Sequence, residues 1–79
     1  MEARLFKLKF AANLSREVHE QKITVNQLSE RSGVSHKAIL RYLTGHSMPT
    51  LRTTMILAEV LDISLYDLVD SDDFAEYRS

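Results

Sequence analysis

Residues 23–45 read Ile23-Thr24-Val25-Asn26-Gln27-Leu28-Ser29-Glu30-Arg31-Ser32-Gly33-Val34-Ser35-His36-Lys37-Ala38-Ile39-Leu40-Arg41-Tyr42-Leu43-Thr44-Gly45. Thr24 followed three residues later by Gln27 is a capping box, in which each side chain satisfies an otherwise unpaired backbone N–H of the other. Ile23 and Leu28 stand at the two ends of a hydrophobic staple across the same helix start. The helix so begun is predicted over Val25–Ser32, and it stops at Gly33, the residue type that tolerates the left-handed conformation past a helix end. Ser35 then caps a second helix, predicted over residues 36–44, with Val34 and Ile39 as its staple and Gly45 as its terminator. Only Gly33-Val34-Ser35 joins the two helices, and a turn that short makes them cross steeply, at about 90–120°. Such a corner demands a small residue at the close approach (Ser29), a positive φ at Gly33, and bulk in the angle from Leu28, Val34, Ile39 and Tyr42. All of these stand at the required offsets.

Working outward, Phe6, Phe10, Leu14 and Val18 lie four apart and predict an amphipathic helix over Ala3–Glu20. Phe6, Leu8 and Phe10 also allow a short strand, but the four-residue stripe continues for eight residues past it. On the other side a loop runs through Pro49 to Thr50, which caps a helix over Leu51–Leu61. A fifth helix starts at Ser64, with Asp67 favourable in its first turn and Ile63 and Leu68 as the staple. The expected architecture is all-α, with five helices in one domain over residues 1–70 and an acidic tail over residues 71–79, where Phe74 and Tyr77 could pack back. No internal repeat or low-complexity stretch appears.

Composition agrees with this. A chain of 79 residues has room for one small domain, which buries about 60% of its unfolded surface. One Pro, two Gly and 44% hydrophobic residues favour a helical globule over a disordered tail or a turn-rich β protein. The lack of cysteine excludes a disulfide framework and thiolate metal sites. No apolar run is long enough for a membrane span, and Lys7 and Lys9 break the only stretch that could resemble a signal peptide. The chain therefore reads as cytoplasmic. Net charge is −1, yet its distribution is uneven. Residues 1–52 carry nine of the ten Lys and Arg against Glu2, Glu17, Glu20 and Glu30. Residues 53–79 carry Arg78 against Glu59, Asp62, Asp67, Asp70, Asp72, Asp73 and Glu76. One part of the molecule is thus suited to a polyanion and the remainder is not.

The order and spacing of these pieces resemble the lambda-repressor-like helix-turn-helix proteins, the Cro/repressor or XRE family, over residues 10–69. The resemblance rests on Thr24-Val25-Asn26-Gln27-Leu28-Ser29-Glu30, Ser32-Gly33-Val34-Ser35, Ile39-Leu40-Arg41-Tyr42, Thr44-Gly45 and Pro49-Thr50. It continues through Leu57-Ala58-Glu59-Val60-Leu61-Asp62-Ile63-Ser64 to Leu65-Tyr66-Asp67-Leu68. Three positions depart from the family pattern. Val25 stands where Gln is usual, removing a side-chain donor to phosphate; Lys22 stands where Gly often ends the first helix; Val18 stands where Arg is frequent.

The resemblance implies sequence-specific binding of double-stranded DNA by a small transcriptional regulator, most simply a repressor, with the helix at residues 36–44 in the major groove. With Ile39 and Tyr42 turned to the core, His36, Lys37, Leu40 and Arg41 are left outside to contact bases. Arg41 can make the bidentate contact to guanine, and Lys37 can reach guanine or phosphate. His36 can donate or accept according to tautomer, and Leu40 can touch a thymine methyl. His36 and Lys37 also occupy a first helical turn, where the dipole favours acids by about 0.3–1 kcal/mol; cations there make sense when the anion comes from a ligand. Phosphate anchors are expected at Val25 and Asn26, at Thr44, His46 and Ser47, and at Thr50 and Arg52. Arg4, Lys7 and Lys9 form either a basic arm or an exposed helix face.

Other chemistries find little support. His19, His36 and His46 fall on separate elements without ligand spacing, so no metal site is expected. Ser and Asp residues sit at caps or in the tail, with no strand-borne nucleophile and no glycine-rich phosphate loop. Neither an enzymatic activity nor a cofactor is expected. An antitoxin or adaptor module of the same fold, acting through protein contact, is the alternative function. Leu65, Leu68, Val69, Phe74 and Tyr77 are the expected partner surface, used for homodimerisation in the regulator or for a protein partner in the adaptor.

Overall fold

The computed structural model describes residues 3–69, and within them the chain forms five helices: α1 (Ala3–Glu20), α2 (Val25–Ser32), α3 (His36–Leu43), α4 (Leu51–Leu61) and α5 (Leu65–Val69). No strand occurs among the described residues, and the Phe6-Leu8-Phe10 stretch is helical. Phe10 and Leu14 of the α1 stripe are fully buried, and they meet Leu28, Ile39, Leu57, Leu61 and Leu68 from the four other helices in a single core. Val18 of the stripe, with Val25, Val34, Tyr42 and Leu43, packs around it half-buried.

Each helix start follows its local chemistry. The Gln27 N–H donates to Thr24 Oγ1 at 3.0 Å, and the Thr24 N–H donates to Gln27 Oε1 at 2.9 Å, completing the capping box. Ser35 accepts from the Ala38 N–H at 3.1 Å, and Thr50 from the Thr53 N–H at 3.2 Å. At α5, Asp67 Oδ2 accepts from both the N–H and the hydroxyl of Ser64, at 3.0 and 3.1 Å.

The helix ends are equally specific. At Lys22, Gly45 and Asp62 the chain turns left-handed, with φ of 54°, 76° and 56°. In each case the residue that follows donates back across the last turn: Ile23 to Val18, His46 to Arg41, Ile63 to Ala58, at 3.0–3.2 Å. This is the Schellman arrangement, which satisfies carbonyls at a helix end. Lys22 thus adopts the conformation for which the sequence pattern favours Gly, at a backbone cost that Gly would avoid. Gly45 suits this positive φ, and a Cβ there would also lie 2.9 Å from Leu8 Cδ2, the end of a half-exposed α1 side chain that would have to move aside. The third helix ends one residue earlier than predicted, at Leu43, because Thr44 takes φ −96° and ψ 0° as its cap.

Two side chains of α1, with Gln21 just past its end, fasten the distant helices. Asn13, only 5% exposed, donates through Nδ2 to the Leu68 carbonyl at 2.9 Å. Arg16 reaches the Asp67 carbonyl at 3.4 Å, and Gln21 donates to the Leu61 carbonyl at 2.7 Å. Carbonyls at the ends of α5 and α4, which have no partner within their own helices, are thereby satisfied by α1 and by Gln21 respectively.

Candidate nucleic-acid interface

The corner between α2 and α3 is closed by two serines. Ser29 Oγ donates to the Val34 carbonyl at 2.6 Å, while Ser32 Oγ donates to the Leu28 carbonyl at 2.7 Å and accepts from the Val34 N–H at 3.1 Å. Gly33, at φ 77°, sends its N–H to the Ser29 carbonyl. Ser29 is therefore small for the close approach and also a donor holding the turn. Leu28 and Ile39 fill the angle from inside, with Val34 and Tyr42 beside them. This corner fixes α3 relative to α2 through packing and hydrogen bonds alone.

With Ile39 locked inward, α3 has one exposed strip. His36, Lys37, Leu40, Arg41 and the cap residue Thr44 are all exposed, and at about 100° per residue they fall within an arc of roughly 140°. Leu40, 43% exposed, is the apolar member of a strip that otherwise offers an imidazole, an ammonium and a guanidinium. The adjoining start of α2 is tied to it, since His36 Nδ1 lies 2.7 Å from Asn26 Oδ1.

The residues expected at phosphates occupy three neighbourhoods. Val25, half-buried, and Asn26, exposed, begin α2; their backbone N–H groups, at the first two positions of the helix, have no intrahelical acceptor. Thr50 and Arg52 are exposed at the start of α4. Thr44, His46 and the half-buried Ser47 follow the end of α3. There Thr44 Oγ1 lies 2.8 Å from the Leu40 carbonyl, 3.3 Å from the Arg41 carbonyl and 2.7 Å from His46 Nδ1. The first turns of α2, α3 and α4 contain no acidic residue, and those of α3 and α4 include Lys37 and Arg52.

The expected partner surface needs one correction. Leu68 is fully buried in the core (0% exposed) and cannot present itself to a partner. Its role is that of the staple, facing Ile63 and the α1 side chains, because a five-residue helix clamped by Asn13 turns that position inward. Leu65 and Val69 are half-buried, with Val69 packed against the core. Tyr66, not expected there, is the most exposed large side chain of the helix at 74%. Phe74 and Tyr77 lie outside the described residues.

His19, His36 and His46 stand apart, and among the described residues no group of three His, Cys, Asp or Glu could hold a metal. No helix of the described residues is long and apolar enough to cross a membrane.

A family model described as helix-turn-helix matches residues 14–68, from the buried Leu14 of α1 to the buried Leu68 of α5. The chain belongs to the Cro/C1-type, or XRE, helix-turn-helix family. The match takes in the last seven residues of α1, all of α2, α3 and α4, and α5 as far as the clamp at Leu68, so it reaches well beyond the corner. This family is one of DNA-binding transcription regulators. No curated protein and no solved structure matches the chain.

Proposed function

We propose that this helix-turn-helix protein is a cytoplasmic, non-enzymatic repressor that binds double-stranded DNA at a specific sequence, with α3 lying in the major groove. The observation that carries this reading is the exposed α3 strip of His36, Lys37, Leu40 and Arg41, set on a rigid corner whose helix starts carry no acid. In this reading Arg41 and Lys37 contact bases through donors that match guanine, His36 contacts a base edge, and Leu40 lies against a thymine methyl. Val25 and Asn26, Thr44, His46 and Ser47, and Thr50 and Arg52 anchor phosphates on either side. Such contacts set register without reading sequence.

Binding to duplex DNA over a salt series, for the full chain and for Lys37→Ala and Arg41→Ala, tests it. A falling log–log affinity with salt is expected, because phosphate contacts release condensed counterions, and both substitutions should weaken binding. Salt-independent binding, or two silent substitutions, would instead favour an adaptor acting through protein contact. The same reading includes a homodimer matching two half-sites, with Leu65, Tyr66 and Val69 at its interface; sedimentation that showed a strict monomer with and without DNA would remove the dimer from it.

A further inference from the structure

The 2.7 Å contact between His36 Nδ1 and Asn26 Oδ1 has a consequence for which bases α3 accepts. An amide oxygen has lone pairs and no proton, so a hydrogen bond to it requires the proton on Nδ1. In a neutral imidazole the other nitrogen then carries a lone pair, and the bond made by one nitrogen decides the state of the other. Nε2 lies across the ring from Asn26, on an exposed side chain at the first position of α3. We propose that Asn26 is a positioning residue that holds His36 as a hydrogen-bond acceptor, so that Nε2 accepts a hydrogen bond from an exocyclic amino group in the major groove, adenine N6 or cytosine N4.

This deepens the DNA-binding reading above and rests on it. The major-groove edge of every base pair carries one such amino group, on adenine or on cytosine, while guanine N7 and O6 and thymine O4 only accept. His36 thereby differs in kind from Lys37 and Arg41, which can only donate. An α3 strip of two donors and one acceptor distinguishes sites that three donors would confuse. Asn26 serves this role from α2, so the steep corner between the helices brings a residue of one to bear on the base preference of the other.

Two measurements test it. Ring ¹⁵N shifts of His36 in the full chain, taken at pH 8, should show Nδ1 protonated and Nε2 bare. The same signature should persist in Asn26→Asp, whose carboxylate can only accept, and be lost in Asn26→Ala. A ring protonated at Nε2 in the unaltered chain would overturn the proposal, because the amide would then be donating to the histidine. The second measurement uses duplexes carrying the site recovered from a random DNA pool. At the base pair where His36→Ala alters the preference, the amino group is deleted by placing purine for adenine or 2-pyrimidinone for cytosine. The unaltered chain should lose about 5-fold in affinity, the scale of one hydrogen bond, whereas His36→Ala should be indifferent, and Asn26→Ala should lie between them. If 7-deazaguanine in place of guanine removes the His36-dependent affinity instead, His36 donates and the proposal fails while DNA binding stands. A chain that binds no duplex defeats both readings of base contact, and the ring shifts still report whether Asn26 sets the tautomer.

Discussion

Asp67 closes the start of α5 with its own carboxylate, accepting from the Ser64 N–H and hydroxyl, whereas α2, α3 and α4 are capped by neutral Thr24, Ser35 and Thr50 and hold no acid in their first turns. The positive end of a helix dipole is complemented at α5 from within the chain, by a residue three positions along. At α3 the same position in the field is given to Lys37, and at α4 to Arg52, whose positive charges work against the dipole. A sequence selected for stability alone would treat the four starts alike. The start of α5 is thus finished from within the chain, while the starts of α2, α3 and α4 are not; in the proposed DNA-binding reading an anion from outside complements them.

The largest expected effect tests the α5 side. Leu68→Ala should destabilise the fold by about 3 kcal/mol, as for other fully buried leucines, seen as a lowered midpoint in urea. A change under about 1 kcal/mol would mean that Leu68 is a surface residue after all and that α5 is loosely attached. Next, Lys37→Glu should reverse the asymmetry at α3. DNA affinity should fall at least about 10-fold, by loss of a donor in the groove and gain of a like charge, while thermal stability rises by a few tenths of a kcal/mol. Opposite signs in the two assays are the expected result; a fall in both would show that Lys37 supports the fold instead. Asp67→Ala should cost about 1 kcal/mol of stability through the lost cap and leave the DNA salt slope unchanged, so an altered slope would join α5 to the interface. Lys22→Gly, which relieves a left-handed lysine, should add roughly 0.5 kcal/mol with no effect on binding, measured by the same melts.

Much of the fold was legible because it is written in short-range patterns. Thr24 with Gln27, Ser35, Thr50 and Ser64 with Asp67 are local signals, and each opens a helix where expected. Lys22 in the glycine position was visible as a departure, and the structure shows how it is accommodated. What the sequence did not reveal is set by contacts between residues far apart in the chain. Nothing local marks Asn13 as the buried donor to Leu68, or Gln21 as the partner of Leu61, across separations of 55 and 40 residues. The approach of Gly45 to Leu8 is likewise tertiary. On α5 the periodic signal is too short to orient a helix of five residues, so Leu68 was read as both staple and surface; packing decides for the former. In the candidate interface, the exposed side of α3 followed from Ile39 and Tyr42 alone. The pairing of Asn26 with His36 did not, since it depends on the crossing of two helices.

The most direct test of the account is an amide and side-chain shift map of the ¹⁵N-labelled chain titrated with the DNA duplex it selects. The responses should concentrate at His36, Lys37, Leu40 and Arg41 and at the starts of α2 and α4, with Ser64, Asp67 and the rest of α5 responding only as a dimer contact would require. Strong responses on α5 or the outer face of α1, with the α3 strip silent, would contradict it.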